Sequence, residues 1–210
     1  MVCRAIVLLL LGLGAVCTGA DITVLLKDQA GAQALLASNP IHVHAAGHVD
    51  ATFDRAVAMF MSKEVLDDVQ AEYARQLPAG ETPEFVVHQT ESGQYHYVNK
   101  DKQRSEVREL YKATGPDGAL DAIFLAEGTR FFGAFEALVH LNARPGAAGK
   151  VDYDLNVYAR PRNSVCRWLG HLPPVRKFFQ NKTQEVADLS ARICAHLSRR
   201  ETPAAPRPSP

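Results

Sequence analysis

The segment RFFGAFEALVHLNAR, residues 130–144, constrains the fold more than any other part of the chain. Taken as an extended strand, it places Phe131, Gly133, Phe135, Ala137, Val139, Leu141 and Ala143 on one side, with no polar member among them. Phe132, Glu136, His140 and Asn142 fall on the other side. Side chains alternate across a strand, so an apolar set of this length needs a covering layer. The C-terminal part of the chain offers one. Pro173-Pro174 suit the first turn of a helix, where a missing amide hydrogen leaves nothing unsatisfied. Beyond them Val175, Phe179, Val186, Leu189, Ile193 and Leu197 recur at three- and four-residue spacings. This spacing predicts an amphipathic helix from about Pro174 to Ser198, well above the common length of about 11–12 residues.

The rest of the chain supplies the partners of that strand. IHVHAAGHV alternates strictly, with Ile41, Val43, Ala45, Gly47 and Val49 opposite His42, His44, Ala46 and His48, and reads as a strand. Asp50 or Thr52 can cap the helix that follows, where Phe53, Ala56, Val57 and Phe60 keep helical spacing. A second helical stretch, about Lys63 to Gln76, stops at Leu77-Pro78. From Glu84 onward the pattern is β. EFVVHQ and QYHYVN flank the turn residues Thr90-Glu91-Ser92-Gly93, and SEVRELYKA, ALDAIFLAEGT, the opening segment and KVDYDLNVYAR follow with short turns between them. Six successive strands with short connections form an antiparallel meander. The predicted fold is α+β: a curved antiparallel sheet of about seven strands wrapped on the long C-terminal helix.

The two ends of the chain differ from its body. MVCRAIVLLLLGLGAVCTGA has the anatomy of a secretory signal peptide: Arg4, an apolar run from Ala5 to Leu13, then small residues up to Ala20. The run is shorter than the roughly 20 apolar residues that span a bilayer. Lipoprotein anchoring at Cys17 is the weaker alternative, because Val16 stands where Gly or Ala is usual. The expectation is export, to the outside or to a periplasm, with residues 21–40 as an N-terminal extension and 41–199 as the folded domain. The tail RETPAAPRPSP, residues 200–210, has nothing to bury and is expected to be disordered. Removing the leader leaves two cysteines, Cys166 and Cys194, which either form one disulfide or remain two buried thiols. Formal net charge is zero and no basic stripe appears, so nucleic acid is not an expected partner.

HVHAAGHVDATFDRAVAMF, GTRFFGAFEALVHLNARPG and VDYDLNVYARPRNSVCRWLG together resemble the START-like helix-grip superfamily, which includes the polyketide cyclases, lipid-transfer domains and the SRPBCC group. The resemblance spans about Ile41 to Ser198. The chain departs from a compact member in its leader, in the extension 21–40 and in the extra segment SVCRWLGHLPP. The resemblance implies a cavity between sheet and helix that binds a hydrophobic small molecule such as a lipid, sterol or polyketide, without a cofactor. The residues that would line it are Val107, Tyr111, Phe131, Phe135, Val139, Tyr153, Leu155, Val157, Phe179, Val186 and Leu189. A core filled by its own side chains, serving a non-catalytic interaction module, is the alternative.

Catalytic and metal chemistry have thinner support. Glu109, on the predicted inward face with Tyr111 and Tyr153, is the one candidate general base for a cyclase- or hydratase-type enzyme. The sequence has no nucleophile elbow, phosphate-cradling glycine loop or His-Glu metal helix. His42 and His44 share a strand face, as zinc ligands can, but no cysteine or carboxylate cluster completes a site, and no metal is expected. Arg160, Arg162, Arg167, Arg176 and Lys177 gather before and within the start of the final helix. They read either as a solvated face or as a contact for anionic lipid headgroups, which makes a membrane surface a candidate partner. Asn181-Lys182-Thr183 matches a glycosylation acceptor but falls inside the predicted helix.

Overall fold

Both faces of one antiparallel sheet are covered, each by a different part of the chain. The computed structural model describes residues 21–62, 65–83, 85–90, 94–99, 102–115, 117–130 and 133–200. The leader, residues 201–210 of the tail, Phe131 and Phe132 lie outside the described residues. The strands are β1 (Ile41–Val49), β2 (Phe85–Gln89), β3 (Tyr95–Asn99), β4 (Arg104–Thr114), β5 (Leu120–Arg130), β6 (Gly133–Pro145) and β7 (Val151–Pro161). Their spatial order is β1-β7-β6-β5-β4-β3-β2, so the last six form the expected meander and β1 closes on β7. The β1–β7 register runs from Ile41 opposite Ala159 to Val49 opposite Val151. Among the described residues six α-helices and a 3-10 turn at Ala147–Gly149 accompany the sheet: α1 (Ile22–Leu25), α2 (Ala30–Ala37), α3 (Phe53–Met61), α4 (Val65–Gln76), α5 (Ser164–Gly170) and α6 (Pro173–Arg199). The α+β arrangement with a long C-terminal helix is the one the sequence predicts.

The front face carries the odd-numbered residues of β6. Ala143 and Leu141 join Ala45, Leu120, Val151, Tyr153 and Leu155 from the sheet, Phe53, Ala56, Val57 and Phe60 from α3, and Ala187 and Ala191 from α6. The long helix therefore shares this cover with α3, whose apolar residues lie on one helical side. Helix α6 sits close to the outermost strand. The side chains of Gln180 and Gln184, one turn apart, reach the free edge of β1. Gln180 Oε1 accepts from His44 N–H at 3.0 Å while its amide donates to the His44 carbonyl. Gln184 repeats the pattern on Ala46 at 3.3 and 3.1 Å. An edge strand presents unpaired backbone groups, and these two amides satisfy them as a neighbouring strand would.

The back face is buried as well, which the sequence pattern did not indicate. Ile22, Leu26, Ala32 and Leu35 of the N-terminal extension pack on Ile123, Leu125 and Leu138. Beside this apolar cluster, His140 and Asn142 are also buried, and they are satisfied laterally. Asp121 bonds His140 Nε2 at 2.8 Å and accepts from Asn142 at 2.9 Å. Arg144 continues the row to Asn142 and to Asp154 at 3.0 Å, and Asp154 meets His44 at 2.9 Å. Buried polar groups persist in folded proteins when they are paired in this way. His42 is occupied too, stacked on Tyr158 with ring centroids 4.6 Å apart and bonded to Asn156 at 2.9 Å.

Cys166 and Cys194 are not joined by a disulfide. Cys166 lies in α5, beside the start of α6, whereas Cys194 is near the far end of that helix. With a rise of about 1.5 Å per residue, Cys194 is roughly 30 Å along the axis from Pro173, far beyond the roughly 7 Å at which a bridge closes. The helix length alone forbids the pairing.

The extension is thus part of the core. Leu26 has no exposed surface. Leu26→Ala is expected to destabilise the protein by about 2–5 kcal/mol, the usual range for truncating a buried leucine. Urea unfolding measures this, and a loss below about 0.5 kcal/mol would show that 21–38 is not packed on the sheet.

Candidate functional site

Between the front face and the helices lies a cavity of about 310 Å3. Its floor is sheet: Leu120, Leu141, Ala143, Val151, Tyr153 and Leu155. Phe53, Ala56, Val57 and Phe60 of α3 and Val65 and Val69 of α4 form one wall, and Val186, Ala187, Ser190, Ala191 and Cys194 of α6 form the roof. The space exists because alanines meet there: Ala143 on the floor faces Ala187 and Ala191 above, with Ala56 at the side. Val186 lines the cavity and is 54% exposed, so it marks a place where the cavity meets solvent.

The lining is aliphatic and aromatic except at one pole. Tyr153 is buried, and its cross-strand partner is Gly47. A Cβ at Gly47 would come within 2.7 Å of the Tyr153 hydroxyl. The glycine therefore lets the ring lie across β1 toward α6. There the hydroxyl meets Asp188 and Gln184, and Gln184 in turn donates to Asp188 at 2.8 Å. Burial, and then the Asp188 carboxylate, push the Tyr153 pKa up, so the phenol stays protonated and acts as a donor. Burial also raises the Cys194 thiol, which keeps it from serving as a thiolate nucleophile near neutral pH. What this arrangement does well is surround an apolar body and offer a few polar atoms on one side.

Helix α4 is tied to α6 by one buried carboxylate. Glu72 is 1% exposed and bonds Arg75 at 2.6 and 2.9 Å and Gln76 at 2.9 Å, all within α4. It also reaches Arg200 at 3.1 Å and His196 at 3.5 Å, at the end of α6. The Arg75 and Gln76 hydrogen bonds, with the charges of Arg75 and His196, hold its pKa down at about 2 despite its burial.

Of the residues expected to line a pocket, Tyr153, Leu155 and Val186 do so. Val107, Phe135, Val139, Val157, Phe179 and Leu189 are not among the lining residues, and Phe131 lies outside the described residues. Tyr111 packs on the back face with Leu110, against the cluster built on α1 and α2. The cause is a β-bulge between Glu109 and Tyr111, which inserts one residue and reverses the alternation beyond it. Glu109 does not line the cavity either, and its carboxylate pairs with Lys112 at 2.8 Å. The sequence-based set contained none of the α3 and α4 wall. The helical stripe Phe53, Ala56, Val57, Phe60 was its visible signal.

No family model matches the chain, and no curated protein matches it. Among solved structures it is similar to a conserved protein from Geobacillus kaustophilus, at 8% identity over 75% of this chain and 94% of that one, with a TM-score of 0.49. It is also similar to the di-domain ARO/CYC BexL from the BE-7585A biosynthetic pathway, at 12% identity over 84% of this chain and 59% of that one, TM-score 0.41. A norcoclaurine synthase from Thalictrum flavum is similar at 8% identity over 74% and 94% of the two chains, again with a TM-score of 0.41.

The α4–α6 tie carries a pH signature. The Glu72 pKa is lowered from 4.5 to about 2, so its contribution to stability is complete above about pH 4.5 and is lost as pH falls toward 2. Glu72→Gln should melt below the parent protein at pH 7, and the gap should close as pH drops from 4.5 to 2. Equal melting temperatures at pH 7 would show that the carboxylate does not hold the two helices together.

Proposed function

We propose that this protein is a START-like carrier that binds one hydrophobic small molecule in the cavity between its sheet and helices, without transforming it. The observation that supports this most is the cavity itself, floored by apolar strand residues and roofed by the small residues Ala187, Ser190, Ala191 and Cys194 of α6. The cavity meets solvent at Val186, so a small molecule can enter it, and an apolar guest gains the burial of its own surface against the apolar lining. The volume lies at the small end of ligand pockets, about 300–1,000 Å3, which favours a compact ligand over a two-chain lipid. The ligand class is a largely apolar molecule, because the Tyr153 hydroxyl is already engaged by Asp188 and Gln184 and Ser190 is the one other hydroxyl-bearing residue of the lining. Nothing in the cavity favours catalysis: the acid-base candidate Glu109 is paired elsewhere, and Cys194 is held as a thiol. The same reading takes the leader-like residues 1–20 as an export signal, and the purified exported form should then begin at Asp21 by intact mass.

The decisive experiment fills the cavity. Ala191→Phe puts an aromatic ring into the roof. If the space holds a ligand, uptake of an apolar fluorophore should fall at least tenfold while the melting temperature changes little. If side chains already fill the space, overpacking should destabilise by about 1–3 kcal/mol. Mass spectrometry of an organic extract of the parent protein supplies the second readout. A ligand-free extract, no fluorophore uptake and a strongly destabilised variant together would eliminate the carrier reading in favour of an interaction module.

A further inference from the structure

Residues 160–182 contain six cations and no carboxylate, in a chain of zero formal net charge. Arg160 and Arg162 are paired with Glu136 and Lys182 with Glu185, and Arg167, Arg176 and Lys177 have no ion pair among the described residues. The same stretch leaves large apolar side chains in water: Trp168 at 64% exposure, Val165 at 62%, Phe178 at 58% and Leu169 at 38%. They are ordered in space as well as in sequence. Val165, Trp168 and Leu169 fall at i, i+3 and i+4 on α5, which makes them one stripe. Helix α5 is anchored by other groups, with Gly170 against Ile41 and Arg167 Nε donating to the Pro161 carbonyl at 3.2 Å. Phe178 lies on the side of α6 turned away from Gln180, which holds that helix to β1. Lys177 is exposed next to it, about a quarter-turn round the helix, and Arg176 is exposed in the same first turns, on the Gln180 side.

We propose that α5 and the first turns of α6 form a docking face for an anionic phospholipid surface. Both halves of the chemistry are needed to choose this partner. A polyanion such as nucleic acid or an acidic protein segment uses the cations but gives Trp168 and Phe178 nothing apolar to enter. An apolar protein groove uses the rings but leaves Arg167, Arg176 and Lys177 without counter-charge, the other three cations being paired with Glu136 and Glu185. A bilayer of anionic lipids takes both, with aromatic side chains at headgroup depth and Arg and Lys on the phosphates. No helix among the described residues is long and apolar enough to cross a membrane, so the contact lies on the surface. The proposal does not rest on the carrier reading, since the cavity is roofed by the other half of α6, from Val186 to Cys194.

Trp168 is the only tryptophan of the chain, so its fluorescence reports on this face directly. With vesicles of phosphatidylglycerol and phosphatidylcholine, its emission should move to shorter wavelength and be quenched by brominated acyl chains. Attachment through any other segment, including residues 1–20, leaves that emission unchanged. Arg176→Gln combined with Lys177→Gln should lower the vesicle partition coefficient roughly tenfold or more, at about one cation's worth of attraction per residue, with an unchanged circular dichroism spectrum. High salt should do the same to the parent protein. An unshifted Trp168 emission with anionic vesicles overturns the proposal. So does an equal shift with pure phosphatidylcholine, or a shift that soluble polyglutamate or RNA reproduces.

Discussion

Strand β6 is buried on both sides, and the rest of the chain is arranged around that fact. Ala137 and Ala143 are buried on its front and Leu138, His140 and Asn142 on its back. A central strand loses its contact with water in both directions, so the sheet needs two covers. The chain supplies them separately, with the 21–38 extension behind and α3, α4 and α6 in front. The two sides meet different requirements. The back is filled by leucines and isoleucines around a paired polar row, whereas the front is lined by alanines that leave room.

How much of this was legible follows from what each residue type reveals. Strict alternation in β1, β6 and β7 fixed the strands, and the prolines with the 3.6-residue spacing fixed α6. The burial of the back face was hidden because His140 and Asn142 look like solvent residues until Asp121 is known to stand beside them. The place of Tyr111 was hidden by a bulge, which adds a residue without leaving a mark in the hydrophobic pattern. The separation of Cys166 from Cys194 was open to view, because a helix of the predicted length already keeps them apart. The cavity was partly legible. Tyr153, Leu155 and Val186 came from counting strand and helix faces, but the α3 and α4 wall required knowing where those helices lie.

Two glycine and alanine choices show how composition becomes chemistry here. Gly47 is a strand glycine, normally a weakness, and its missing side chain is the room in which the Tyr153 ring lies. Ala187 and Ala191 give the α6 roof no bulk where a globular core would ordinarily place leucine. A tyrosine that is buried, protonated and held by Asp188 and Gln184 then stands at the polar edge of an apolar chamber.

The position of β1 has a kinetic consequence. This strand is made early and pairs only with β7, the last strand synthesised, and α6 must follow before its outer edge is satisfied. Contacts between distant parts of a chain form late, because the intervening loop must first be closed. The meander β2 to β6 is local and free to assemble as it emerges, but Ile41, Val43 and Ala45 have no partner strand until nearly the whole chain exists. A nascent chain of this topology therefore carries an unpaired apolar strand until its C-terminal segment arrives, and completion of the sheet is the last event of its folding.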